Sequence, residues 1–146
     1  MELQAEGGPV GVRAVDGVVH KRSSVSVAET VLRLTSAIRA AGATVFFVVD
    51  HSGEAERAGL SLRDTKLVGF GNPAGGTPAM VASPLAALDL PLKVLVWIDE
   101  DGAVWMSYVD PPWLAARHGL DEDLAAPLSA VDQLTTQVTA AENQEP

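Results

Sequence analysis

The spacing of apolar residues predicts one long helix in the first third of the chain. Ser26 and Glu29 form the Ser-x-x-Glu pattern of a helix start, in which side chains bind free backbone N–H groups, and Gly42 is the residue type that ends helices. Apolar residues between them recur every three or four positions, at Val27, Val31, Leu34, Ile38 and Ala41. Because they form a single stripe, the sequence predicts a helix of about sixteen residues that packs on a core.

Runs of β-branched and aromatic residues predict the strands. Residues 44–49 are apolar without alternation, which is typical of a strand buried on both faces near the centre of a sheet. Residues 12–22 predict an earlier strand, interrupted by an Asp-Gly pair, and residues 67–70 predict a later one. Residues 71–78 are rich in glycine and proline and predict an irregular loop, which a weakly helical segment follows at residues 80–90.

The strongest strand signal lies in residues 93–109 and predicts a hairpin. Asp101 and Gly102 are the pair that favours a two-residue turn, and that turn places Trp97 opposite Met106. With this register both faces of the hairpin are apolar. One face is expected to pack on the helices and the other on further protein, either of this chain or of a second copy. A final helix is predicted over residues 121–141.

Composition and charge exclude several classes of protein. The 146 residues carry nineteen acidic and ten basic side chains, a net charge of −9, and six of the acidic residues lie in residues 121–146. The rest of the chain has a net charge of −3, which gives no electrostatic reason to bind nucleic acid or an anionic membrane. No apolar run approaches the roughly 18 residues of a transmembrane helix. Since cysteine is absent, disulfides, a thiol nucleophile and cysteine-ligated metals are excluded.

The first nine residues have neither the basic nor the apolar region of a secretory signal, so we expect a cytoplasmic protein.

The triplet Asp50, His51 and Ser52 is the main candidate for chemistry. It directly follows the predicted central strand, where ligands often bind in sheets with helical crossovers. Neighbouring residues point to different sides of the backbone, so the triplet does not form a catalytic triad. His51 is a candidate general base or a metal or haem ligand. The simpler interpretation is that Asp50 caps a helix while His51 packs and hydrogen-bonds locally.

A metal site needs several ligands that converge. The candidates are His51, His118, Asp50 and Asp110, and His20 of the first strand is a further histidine, but none of them has the spacing of a known metal motif. The sequence therefore predicts no cofactor. Haem or metal binding through His51 or His118 is kept as an alternative.

Several short motifs occur in the order and spacing of a known family. They are Val49-Asp50-His51-Ser52, Phe70-Gly71-Asn72-Pro73, Leu88-Asp89-Leu90-Pro91 and Arg117-His118-Gly119-Leu120. Over residues 17–120 the chain resembles the family numbered 302 among the domains of unknown function. This resemblance implies an α+β domain with a mixed, twisted sheet and helices on one face, a homodimer, and no established activity. Residues 1–16 are then an N-terminal tail with the start of the first strand, and residues 121–146 an added acidic helix with a disordered end.

We expect a homodimer that binds a small ligand or a protein partner rather than an enzyme, because no complete catalytic constellation is present. The expected cleft is bordered by Asp50, His51, Asn72 and Tyr108, with Asp110 beside it. Two alternatives stay open. One is a hydrolase-like enzyme with His51 as general base, and the other is a haem- or metal-binding, redox-associated module.

Overall fold

The computed structural model describes residues 7–143 and contains a five-stranded sheet. The strands are β1 (Val18–Ser23), β2 (Thr44–Asp50), β3 (Thr65–Gly71), β4 (Leu92–Ile98) and β5 (Val104–Val109). Their order across the sheet is β1-β5-β4-β3-β2, and every neighbouring pair is antiparallel. The sheet is therefore antiparallel rather than mixed, although the expected α+β class is confirmed.

Six α-helices accompany the sheet within the described residues. They are α1 (Val27–Ala40), α2 (His51–Arg57), α3 (Pro73–Ala82), α4 (Pro111–Arg117), α5 (Glu122–Ala125) and α6 (Ala130–Asn143). Two 3-10 helices, Pro84–Leu88 and Ala126–Ser129, lie between them. None of these helices has the length and apolar character to cross a membrane. The residues expected to form a disordered end lie mostly outside the described part, beyond Asn143.

Helices α1 and α6 pack beside each other on one face of the sheet and form the core with it. Leu34, Ile38, Val94, Val96 and Met106 are inaccessible to solvent there. The predicted first helix is confirmed, since Ser26 caps α1 by accepting a hydrogen bond from the Glu29 N–H at 3.1 Å. The predicted C-terminal helix is confirmed from Ala130 onward, where α6 contributes Val131, Leu134 and Val138 to this core. Residues 121–129, predicted as its first part, form α5 and a 3-10 helix instead.

The predicted central strand, β2, lies at an edge of the sheet instead. Its apolar run does not mark burial on two faces, because Phe46 is 51% and Val48 45% exposed. A β-bulge between Val45 and Phe47 makes Phe46 an extra residue in the pairing with β3. The Phe47 ring lies directly over Gly69, where a Cβ atom would overlap it. Phe47 therefore packs over the neighbouring strand β3, while Phe46 stays half exposed at the edge of the sheet.

The hairpin of β4 and β5 forms, with a register one residue away from the predicted one. Trp97 pairs with Trp105 rather than with Met106. The turn is longer by one residue because the Asp99 N–H bonds to the Ala103 carbonyl at 2.9 Å, and Gly102 takes the left-handed φ of +81°. This register places both tryptophans on the face opposite α1 and α6, called the outer face below.

The predicted irregular loop at residues 71–78 is mostly helical, as the first part of α3. Asn72 caps this helix by accepting a backbone hydrogen bond at 3.0 Å, and Pro73 occupies its first turn, where a missing N–H has no cost. A Cβ atom on Gly75 would come within 2.9 Å of the Pro127 Cβ. That glycine therefore serves close packing of α3 on a 3-10 helix rather than a turn.

Candidate functional site

The predicted cleft between Asp50 and Asn72 does not form. Asp50 ends β2 and pairs with Lys66 near the start of β3, whereas Asn72 follows the last residue of β3. Six positions of extended chain separate Lys66 from Asn72, a distance of about 20 Å. The expectation was wrong because β2 and β3 are antiparallel neighbours, which puts the two motifs at opposite ends of the pair.

The Asp50 carboxylate starts helix α2. It accepts hydrogen bonds from the Gly53 N–H at 2.9 Å and the Ser52 hydroxyl at 2.8 Å, and Lys66 lies 3.5 Å away. These interactions, with the Gly53 bond the largest, hold the pKa of Asp50 below its ordinary value. The Ser52 Oγ also accepts a hydrogen bond from the Thr65 N–H at 3.1 Å. Asp50 and Ser52 thus join α2 to the start of β3, as the capping interpretation expects.

The two candidate ligand histidines differ in their surroundings. His51 is exposed, and its side chain makes no hydrogen bond or ion pair within residues 7–143. The side chain of His118 is only 7% exposed, and its Nε2 lies 2.6 Å from Asp89 Oδ2. Arg117 contacts the same carboxylate at 3.2 Å. In this part of the chain no three His, Asp or Glu side chains are grouped to hold a metal ion.

The contacts of Tyr108 and Asp110 indicate structural roles for both residues. Tyr108 is buried in the core, and its hydroxyl donates to Asp132 Oδ1 at 2.5 Å. Burial, and then the bond to Asp132, raise the pKa of Tyr108. Asp110 precedes α4, and its backbone N–H donates to the Gly17 carbonyl at 2.7 Å. Neither residue lines a space shared with Asn72.

A large cavity does lie at the other end of the sheet, where Asn72 is found. Its volume is about 990 Å³, and it is bounded by the start of β2, the end of β3, the start of β4, and helices α3 and α6. Its apolar wall includes Phe46, Phe70, Met80, Leu90, Leu92, Leu128 and Leu134. We call it the α3–α6 cavity.

The polar groups of the α3–α6 cavity are few and uncharged. They are Asn72, Thr77, Gln133, Thr136 and Gln137. No Lys, Arg, His, Asp or Glu is among the described residues that line it. Such a wall suits an apolar molecule with a small hydrogen-bonding group.

Sequence reasoning named Asn72 and missed the rest of this cavity. Two signals were present in the sequence. Helix α3 has no polar face, and Phe46 and Phe47 are adjacent in a strand that admits only one of them per face. The first segment was predicted to be partly a loop, and the second was predicted to be a buried central strand.

A second group of side chains lies on the outer face of the sheet. The Trp97 indole N–H donates to Ser107 Oγ at 2.8 Å, and His20 Nδ1 lies 2.7 Å from the same oxygen. The indole can only donate, so the Ser107 hydroxyl is free to donate to an unprotonated His20 Nδ1. Burial lowers the pKa of His20, in agreement with a neutral ring. Leu95 is half-buried on this face, and Val109 is 40% exposed.

A comparison with models of protein families identifies the family of this chain. The family model of the domain of unknown function DUF302 matches residues 19–141. The chain belongs to the DUF302 family. The match continues past residue 120, so it includes the C-terminal segment that the resemblance set apart as an addition.

Related proteins fall into two groups. Fluoride-specific ion channel FluC 1 of Brucella suis is 45% identical over 111 residues, which are 75% of this chain and 44% of that protein. Fluoride-specific ion channel FluC 2 of Brucella melitensis matches equally, over 41% of its length. The chain therefore spans about two fifths of these curated relatives.

Among solved structures, an uncharacterized conserved DUF302 protein from Bacillus stearothermophilus has a TM-score of 0.71 and 16% identity. The alignment covers 86% of this chain and 98% of that one, so the two share a fold.

Proposed function

We propose that this DUF302 domain binds an apolar small molecule in the α3–α6 cavity. The observation that carries the proposal is a cavity of about 990 Å³ with a mostly apolar and uncharged wall. Cavities of roughly 300–1,000 Å³ with this character bury most of the surface of a small ligand.

The exposed apolar side chains at the cavity support the same function. Phe46 is half exposed, and Met80 and Leu90 are only partly covered. Apolar surface in contact with water is unfavourable by about 25 cal/mol per Å². A ligand that covers these side chains recovers that free energy on binding.

Titration with Nile red, an uncharged apolar fluorophore, tests the proposal. Gly76 lines the cavity, and a Cβ atom there would meet nothing closer than the Leu90 Cδ1 at 3.9 Å, so Gly76→Leu adds a side chain to the cavity. Ala74 is exposed on the same helix and does not line the cavity, which makes Ala74→Leu the matched control.

We expect saturable binding of one fluorophore per chain, at least tenfold weaker in Gly76→Leu and unchanged in Ala74→Leu. Circular dichroism establishes that both variants are folded. Equal affinity in the two variants, or no saturable binding by the original chain, overturns the proposal.

We also propose that the domain is a cytoplasmic homodimer that pairs through the outer face. Support comes from the apolar side chains there that one chain leaves partly uncovered, among them Leu95, Trp97 and Val109. Light scattering at micromolar concentration should give twice the chain mass of 15.2 kDa. Val109→Asp should give the single-chain mass, and Val48→Asp, at a similarly exposed strand valine outside this face, should not. A single-chain mass for the original protein contradicts the proposal.

A second candidate function is binding of a protein partner, favoured by the 45% identity to proteins named as fluoride-specific ion channels. The partner would be the portion of the Brucella suis protein outside the matched 111 residues. Titration of this chain with that portion, purified in detergent, should give saturable binding. Its absence argues against this candidate. The alternative of haem or metal binding through His51 or His118 predicts a Soret band, or stoichiometric metal in elemental analysis.

A further inference from the structure

We infer that the α3–α6 cavity selects a neutral single-chain lipid, such as a long-chain alcohol or ester, over an ionised fatty acid. This inference rests on the proposed function and adds the charge of the ligand to it.

No described residue that lines the cavity is charged. Two ammonium groups contact lining residues, those of Lys21 and Lys93, and both already donate hydrogen bonds to oxygen atoms of the protein. A carboxylate moved from water into an apolar site without a cation or sufficient hydrogen bonds is strongly disfavoured. A fatty acid would therefore bind ionised only if another group at the cavity stabilised its carboxylate.

Among the described lining residues, the start of helix α3 is where several backbone N–H groups lie together, and first-turn N–H groups of helices attract negative charge. Here those groups are occupied. The Ala74 N–H bonds to the Asn72 side chain at 3.0 Å, and the N–H groups of Gly75 and Gly76 both bond to the Asn72 carbonyl at 2.9 Å. Pro73 has no N–H. The Asn72 side chain and carbonyl thus occupy the backbone donors at this end of α3, which leaves an anionic head group only uncharged side-chain donors.

The polar end of a neutral lipid has partners on helix α6. Gln133 and Gln137 are four residues apart, so they lie on one face of α6, and both are exposed and line the cavity. A carboxamide both donates and accepts, which matches a hydroxyl or an ester group. Phe70, Leu128 and Leu134 are the buried lining residues and suit the hydrocarbon chain.

Displacement of Nile red by a matched ligand pair tests this inference. The pair is 1-dodecanol and laurate, at pH 8, where the carboxyl group is ionised. We expect laurate to compete at least tenfold more weakly than dodecanol. Shortening the alcohol should raise its Kd by about fourfold for each methylene group that leaves the cavity.

A variant that adds a positive charge at the cavity should abolish or reverse the selectivity. Gln133→Lys puts a cation at the cavity and should bring laurate to the affinity of dodecanol or above it. Ala74→Lys adds the same charge on exposed α3 surface outside the cavity and should not.

The outcomes separate the two proposals. If Nile red binds and is blocked by Gly76→Leu, but laurate competes as well as dodecanol in the original chain, the neutral-lipid inference is overturned and the proposed function stands. If Nile red does not bind, both fail.

Discussion

Asp99 provides the sharpest test of how the turn of the β4–β5 hairpin is held. Its carboxylate is 2% exposed and accepts four hydrogen bonds. One oxygen accepts from the N–H groups of Asp101 and Ala103, both at 2.9 Å. The other accepts from the Val10 N–H at 3.0 Å and the Trp105 indole N–H at 2.9 Å.

Asp99→Asn keeps the size of the side chain but replaces one acceptor oxygen with an NH₂ group. Two of the four N–H groups then point at the new NH₂ group, which cannot accept their hydrogen bonds. A hydrogen bond to a charged group contributes about 1.5–3 kcal/mol, so we expect the free energy of unfolding to fall by about 3–5 kcal/mol. Urea denaturation followed by tryptophan fluorescence measures this, and the midpoint should fall by about 2 M.

Asp101→Asn is the matched control, because Asp101 is an exposed carboxylate of the same turn and should change the unfolding free energy by less than about 0.5 kcal/mol. A loss below about 1 kcal/mol in Asp99→Asn would refute the reasoning.

The pH dependence of stability is a second measurement on the same residue. Burial of the carboxylate raises the pKa of Asp99, but the four hydrogen bonds outweigh burial and lower it to about 2, from an ordinary value of 3.8. Because the folded pKa is the lower one, the stabilisation is complete above about pH 4 and is lost as pH falls toward 2. Asp99→Asn should remove this part of the acid dependence.

Three further substitutions test whether polar side chains outside the cavity contribute to stability or to local hydrogen bonding. His51→Ala should change the unfolding free energy by less than about 0.5 kcal/mol in urea denaturation, since the side chain is exposed; a loss of several kcal/mol would assign it a structural role. His118→Ala should destabilise by about 1–3 kcal/mol, because it removes the 2.6 Å contact with Asp89; an unchanged midpoint would contradict that contact. Ser107→Ala should raise the pKa of His20, measured by NMR titration, because the mutant loses the hydroxyl that donates to the neutral ring; an unchanged or lower pKa would argue against this hydrogen bond.

Much of the local structure followed from the sequence. The cap at Ser26, the helical stripe of α1 and the cap at Asp50 depend on residues within a few positions of each other. Such interactions form in almost any tertiary setting, which is why their patterns could be interpreted. The hairpin was predicted for the same reason. Its register was not, because it depends on whether the turn has two or three residues, and the Asp-Gly pair by itself does not show that Asp99 closes the longer turn by bonding to Ala103.

The candidate site was predicted only at Asn72. The motifs around Asp50 and Asn72 were expected to meet, but motif order along the chain does not state whether two strands run parallel or antiparallel. The cavity depends on α3 and α6, two helices that are far apart in sequence and that both border it. The aromatic run of β2 could not distinguish a buried central strand from an edge strand beside a cavity, since both favour apolar residues.

The sequence by itself therefore determined where helices begin, which residues cap them and that the chain is one α+β domain of the DUF302 family. Only the tertiary structure decided the strand order, the edge position of β2, the register of the two tryptophans and the existence of the α3–α6 cavity. The physical reason is the distance along the chain between the residues that interact. Capping and helical periodicity are set within a few residues, whereas strand order and cavities are set by contacts between distant residues, such as the pairing of Val18 with Val109.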